Sequence, residues 1–125
     1  MAQRFGKAEK LKSRKWIEQI FTEGKSIKAY PVLAVYRSFE EQNQVKIKAG
    51  FSVSKRKFRK AVDRNLLKRR MREAYRLNKA KLDVLAESGK TIGVMFIYMP
   101  GKSLSFEEIN KAFLRLAEEF TNVKA

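Results

Sequence analysis

Residues 91–99, TIGVMFIYM, form a continuous apolar run, and such a run has few places to go in a small protein. It offers no polar side to water, so it reads as a strand in the interior of a sheet, stopped by Pro100 and Gly101. Its longest wholly apolar part, Ile92 to Met99, is far short of the roughly 18 residues that a membrane span requires. The remaining elements must therefore be placed around a small sheet.

The spacing of Leu11, Trp16, Ile17, Ile20 and Phe21 suits a short first helix over 11–21, with Gly24 placed to end it. Residues 26–39, SIKAYPVLAVYRSF, alternate as a strand that Pro31 splits into a short edge piece and a main strand. The polar EEQNQ at 40–44 reads as a hairpin turn, and VKIKAGFSVS at 45–54 as the returning partner strand. Helical character runs from near Phe58 to about Ala86, long enough to span roughly 40 Å, and Ser88 with Gly89 closes it. Ser105 followed by Glu108 predicts a capping box for a last helix with the stripe Ile109, Ala112, Phe113, Leu116, Ala117 and Phe120. The expected fold class is α+β, a small mixed sheet of three to four strands packed with helices in the order α-β-β-(β)-α-β-α. The 125 residues make one domain, 1–125, with 1–10 a candidate flexible basic tail.

Charge narrows the function. There are 29 Lys plus Arg against 13 Asp plus Glu, a formal charge of +16. Folding such a chain is opposed by self-repulsion unless a polyanion is the usual partner, which puts nucleic acid first and leaves no membrane partner expected. The N-terminus, MAQRFGKAEKLKSRK, lacks the apolar core of a signal peptide, so the expected location is the cytoplasm. The chain contains no Cys and no His, which excludes disulfides and argues against zinc and against His-assisted nucleophiles. No metal site and no catalytic residue are predicted in the chain itself. A nuclease without His would need clustered carboxylates, which Glu40 and Glu41 in a turn and Glu107, Glu108, Glu118 and Glu119 in the terminal helix do not convincingly offer.

The charge is concentrated in DRNLLKRRMREAYR, residues 63–76. Projection at 100° per residue puts Arg64, Asn65, Lys68, Arg69, Arg72, Arg76 and Lys79 on one arc of about 140°. Leu66, Leu67, Met71, Ala74 and Leu77 take the opposite side, where they can dock on the sheet, and Arg70 and Asp63 interrupt that side as a candidate pair. Between Lys55 and Lys81 there are thirteen Lys or Arg and two acids, Asp63 and Glu73. Like charges at i,i+4, such as Arg64 with Lys68, destabilise an isolated helix by a few tenths of a kcal/mol each. An ordinary solvated helix has no reason to accumulate them, whereas a helix that meets phosphates does. The preference for Arg favours forked phosphate contacts. The helix lies between strands and not in a compact helix-turn-helix, which favours folded RNA over a DNA major groove.

AGFSVSK at 49–55 followed by AVDRNLLKRRMREAYR at 61–76 resembles the protein subunit of bacterial ribonuclease P. The likeness extends to LKSRKWIEQIFTEGKS at 11–26 and to the ending from Ile92 to Phe120, and its specific set is Arg64, Asn65, Lys68, Arg69, Arg72, Glu73 and Ala74. The resemblance implies a ribonucleoprotein endonuclease that removes the 5′ leader of precursor tRNA, with hydrolysis carried by the RNA subunit and its bound Mg²⁺. The implied partners are that RNA subunit and precursor tRNA, with no obligate protein partner. Also implied are a left-handed β-α-β crossover around the basic helix, RNA binding by that helix, and a leader cleft between the first helix and the sheet. Carried onto the cleft are Ile17, Phe21, Tyr36, Phe51, Lys55 and Arg56. The pattern alone favours core packing over base contact for Phe21 and Phe51 and is even for Tyr36.

The chain departs from the family at Leu66, where many relatives carry a further cation, and at Tyr98 and Met99, where basic residues are frequent. KRKFRK at 55–60 replaces a shorter Gly-containing connection, and Ile17 beside Trp16 stands where Phe is common. Two other readings remain beside the leading one. A general structured-RNA-binding or ribosomal protein would bind RNA without a role in tRNA processing. A metal-dependent nuclease would lose turnover when individual Glu residues are replaced.

Overall fold

The computed structural model describes residues 10–40, 46–82 and 90–124, the last four as helix backbone. Its elements are α1 (Arg14–Glu23), β1 (Lys25–Ala29), β2 (Val32–Glu40), β3 (Ile47–Val53), α2 (Ala61–Leu82), β4 (Lys90–Tyr98) and α3 (Phe106–Lys124). The expected α+β class and element order hold, with the optional strand present as β1 at the sheet edge.

The sheet order is β1-β2-β4-β3. β4 pairs antiparallel with β2, Val35 opposite Met95, and parallel with β3, Ala49 opposite Val94. The expected β2–β3 hairpin is therefore corrected: β4 is inserted between the two strands. The reason lies in the run that opened the sequence. Every residue from Thr91 to Phe96 is buried, which only a strand with neighbours on both edges and cover on both faces achieves. β3, with its half-exposed Lys48, Gly50 and Ser52, is displaced to the outside. Beyond Glu40 the expected turn lies outside the described residues, as do Ser88 and Gly89.

Strand alternation gives the sheet two apolar faces. Ala34, Tyr36, Ala49, Val94 and Phe96 point towards α2 and α3, and Val35, Phe39 and Met95 point towards α1. The predicted α3 stripe is buried throughout, from Ile109 to Phe120. Ser105 Oγ accepts the Glu108 N–H at 3.2 Å, as the capping box requires. Asn78, buried on α2, donates from Nδ2 to Ala74 O at 2.8 Å and to Asn110 Oδ1 at 3.0 Å, tying α2 to α3 without an unsatisfied amide.

α1 begins three residues later than expected. Ser13 is its N-cap, accepting the Trp16 N–H at 3.2 Å. Leu11 lies instead in an extended segment whose Lys10 bridges Ala49 on the outer edge of β3, and the Leu11 N–H donates to Ala49 O at 2.9 Å. Gly24 ends α1 as expected, for a steric reason: a Cβ there would lie 2.3 Å from Ile20 O and 2.7 Å from Tyr36 O. α2 begins at Ala61 because the preceding connection is folded on itself. Ser54 Oγ accepts the N–H groups of Arg56 and Lys57, Phe58 is buried beside Tyr98, and Lys60 O accepts the Asp63 and Arg64 N–H groups.

Gly93 opens room in the middle of β4 on the α1 side. A Cβ there would stand 3.0 Å from both Ile20 Cδ1 and Phe39 Cε2, so the missing methyl is what lets both side chains lie against the strand. Gly93→Ala is expected to lower stability by about 1–3 kcal/mol through overpacking. Urea denaturation measures this, and an unchanged midpoint and slope would show that the α1 face has slack.

Candidate nucleic-acid interface

The helical wheel assigned α2 a docking face that the structure rotates. The buried residues are Leu67, Met71, Ala74, Tyr75, Asn78 and Leu82, while Leu66 is 37% and Leu77 47% exposed. The buried arc is turned by about 60° from the expected one, because the side chains that reach the sheet and α3 include Tyr75 and Asn78. Tyr75 packs against Phe51 of β3 and Phe96 of β4. Leu66 and Leu77 as anchors are thus corrected. So is the Arg70–Asp63 pair: Arg70 Nη1 donates to Leu104 O at 2.6 Å and to Ser103 Oγ at 3.4 Å, fastening α2 to the β4–α3 connection.

The rotation acts on the basic stripe as well. Arg64 is drawn toward the docking side, where its Nη1 donates to Phe58 O at 2.8 Å and to Arg59 O at 2.9 Å. Asn65 is exposed beside it. Of the stripe, Lys68, Arg69, Arg72 and Arg76 form the α2 wall of a groove of about 640 Å³, and Asn65 and Lys79 are not among its lining. Ala49, Gly50 and Phe51 of β3 line it too, and the segment Lys10–Lys12 brings two further cations from across the sheet edge. The groove's acid, Glu73, is engaged by Arg76 Nε at 3.2 Å, and that guanidinium holds its carboxyl below the ordinary carboxylate range. The remaining wall is cationic around a partly apolar floor, an arrangement suited to a phosphate backbone. Lys10 and Lys12 went unassigned from sequence because only the Lys10–Ala49 bridge brings them here.

The six residues expected in one leader cleft are divided by the structure. Ile17 is half-buried on the α1 side with Trp16, Leu33 and Ile97, and Phe21 on α1 is 51% exposed. Tyr36 is corrected to the opposite face, 7% exposed and edge-on to Phe120 at 5.2 Å. Burial raises its phenol pKa. Phe51 also lies on that opposite face, stacked on Phe96 at 5.5 Å and reaching the α2 groove. The cause is parity, since residues 33, 35, 37 and 39 of β2 face α1 and residues 32, 34 and 36 do not. Lys55 and Arg56 sit in the exposed turn after β3. The half-exposed row Leu33, Ile97 and Ser52, neighbours across three strands, is the part of the α1-side face that shows beyond the helix.

A second aromatic feature was not foreseen. Trp16 stacks on Phe39 at 3.9 Å with parallel rings, Lys48 Nζ lies 5.1 Å from the Trp16 centroid, and the Arg37 guanidinium 4.7 Å from that of Phe39. Arg37 also pairs with Glu23 at 3.5 Å. Tyr98, a departure from the family pattern, is structural: it is 2% exposed, donates to Lys102 O and accepts the Leu104 N–H.

Together these features define a basic α+β protein with a cation-lined groove along its long helix. A family profile described as Ribonuclease P matches residues 5–121. The Ribonuclease P protein component of Porphyromonas gingivalis is 39% identical over 107 residues, covering 85% of this chain and 78% of that one. Its counterpart from Thermotoga maritima is 32% identical over 123 residues, covering 98% and 95%. Among solved structures, the RNase P protein of Thermotoga maritima superposes with a TM-score of 0.69 at 25% identity over 89% of this chain and 96% of that one. That of Staphylococcus aureus gives 0.68 at 23%, over 91% and 99%, a likeness of fold. The chain belongs to the ribonuclease P protein family.

The divided placement has a direct test. Tyr36→Ala should lower stability by about 3 kcal/mol as a core truncation, whereas Phe21→Ala should stay within about 0.5 kcal/mol as a surface change. Equal losses in thermal or urea unfolding would contradict the two-face assignment.

Proposed function

We propose that the chain acts in the cytoplasm as the non-catalytic protein subunit of ribonuclease P, binding the catalytic RNA and the 5′ leader of precursor tRNA. Membership of the family supports the tRNA-processing role. The observation that carries the RNA contact is the α2 groove, where Lys10, Lys12, Lys68, Arg69 and Arg72 surround a wall whose acid is held by Arg76. Phosphate contacts of this kind give affinity that falls with salt, because each neutralised phosphate releases counterions.

The leader is assigned to the α1 side of the sheet. Ile17 and the row Leu33, Ile97 and Ser52 supply an apolar floor, Phe21 an exposed ring, and Lys55 with Arg56 cations at the exit of β3. Unpaired bases gain about 1–3 kcal/mol each from aromatic stacking, so Phe21 is the residue there with the most to give. Tyr36 and Phe51 are not part of this surface.

Hydrolysis is left to the RNA subunit and its Mg²⁺. Among the described residues no three of Asp, Glu, His or Cys gather where they could hold a metal ion. The protein's part is to bind, neutralise phosphate charge and hold the leader in place, which lowers the Mg²⁺ that the RNA needs to fold and react.

Reconstitution tests the whole reading. The RNA subunit with this protein should cleave precursor tRNA at low Mg²⁺, and the purified, RNA-free protein should not; cleavage by the protein alone would overturn it. Arg69→Ala should weaken binding of the RNA subunit and reduce the salt slope by about one ion per lost phosphate contact. Arg69 is the cleaner probe, since Arg64→Ala also removes bonds that hold the 58–60 connection.

A further inference from the structure

A second basic hollow lies away from the α2 groove and shares no lining residue with it. It is about 290 Å³ in volume, between the β1–β2 turn and the first half of α3. Its apolar side is Pro31 and Leu104, and over it stands Tyr30, 53% exposed, whereas Tyr36, Tyr75 and Tyr98 are buried. Three cations line the hollow, Lys102, Lys111 and Arg115, against one acid, Glu108. All three are exposed, and their side chains make no hydrogen bond or ion pair with another described residue. Lys111 and Arg115 are four residues apart on α3, so they lie on one helix face about 6 Å apart along the axis.

We propose that this hollow is a second RNA-binding site, which takes one unpaired nucleotide with its base on the Tyr30 ring and its flanking phosphates on Lys111 and Arg115. A large aromatic held in water beside clustered, uncommitted cations is the combination that binds single-stranded nucleic acid: the ring supplies a stacking face for any base and the cations track the backbone. The volume, at the low end of ligand pockets, admits a single base and sugar and not a duplex. The net charge of the lining, three cations to one acid, selects a polyanion over an ordinary peptide. The site rests on the proposed RNA-binding role for its class of partner, and on its own geometry for its position.

The exposure of Tyr30 makes it a reporter. Full-length protein carrying ¹³C-labelled tyrosine rings is titrated with hexa-adenylate at low salt and followed by NMR. The expected result is a saturable upfield shift of the Tyr30 ring, with buried Tyr36 unmoved as the check that the fold is intact. The double variant Lys111→Glu/Arg115→Glu should weaken the affinity read at Tyr30 by at least roughly tenfold, and Arg69→Ala/Arg72→Ala should leave it within about twofold. Tyr30→Ala should reduce binding at this site, read at Leu104 and Lys111 amides, by roughly five- to hundredfold. An unmoved Tyr30 at saturation overturns the proposal. So does a Tyr30 shift abolished by the α2 variant, or one reproduced by hexa-glutamate, which would mark charge attraction without stacking. A failed Tyr30 titration beside a working Arg69-dependent reconstitution rejects this site and leaves the α2 groove standing.

Discussion

The structure depends on β4 being apolar on both faces. A strand of that kind must have a neighbour along each edge and cover above and below, and the rest of the chain is arranged to supply these. β2 takes one edge antiparallel and β3 the other parallel, so the chain between β3 and β4 must return to its starting end, and α2 accounts for that return. The long basic helix is thus fixed on one face of the sheet by the same demand that buries Phe96 under Phe113 and Tyr75. Arg70, bonded to Leu104 O, helps to hold it there, whereas Lys68, Arg69 and Arg72 face the groove. That separation lets the helix keep its cations outward while Leu67, Met71 and Ala74 are fully buried.

Much of this was legible from residue pattern, and what was missed has identifiable physical causes. The edge strand before Pro31, the α3 stripe and its Ser105 cap came through because each is a local rule of alternation, period or capping. The strand order did not, since a hairpin and an inserted strand leave the same local pattern in β2 and β3. Only the demand of TIGVMFIYM for two neighbours distinguishes them, and that demand is not local. The α2 face was misjudged because a wheel ranks Leu66 and Leu77 above Tyr75 and Asn78 by hydropathy. In the fold, Tyr75 has aromatic neighbours and Asn78 an amide partner on α3, so reach and satisfied hydrogen bonds decided the rotation.

The candidate site was legible in charge and partly hidden in geometry. Lys68, Arg69, Arg72 and Arg76 line the groove as the stripe implied. Lys10 and Lys12 join them through a sheet-edge bridge that no spacing rule announces, and Arg64 is partly withdrawn by the carbonyls of the connection before it. Around the expected cleft, a one-residue step along β2 separates Val35, facing α1, from Tyr36, facing α3. Family resemblance carries residue type, but the side of the sheet follows strand parity. The exposed tyrosine at position 30 lay outside both lines of reading because it belongs to a turn, where neither period nor charge run marks it.

The stack of Trp16 on Phe39 also has an optical meaning. Trp16 is the chain's single tryptophan, and it joins the first helix to the sheet on the face away from α2 and α3. Its emission therefore reports one event, the seating of α1 over Gly93 and Phe39, with no contribution from a second indole. With Lys48 beside one ring and Arg37 beside the other, the same chromophore senses the local field on the α1 side of the sheet. The protein carries a built-in probe that separates what happens on its α1 face from what happens along its basic helix.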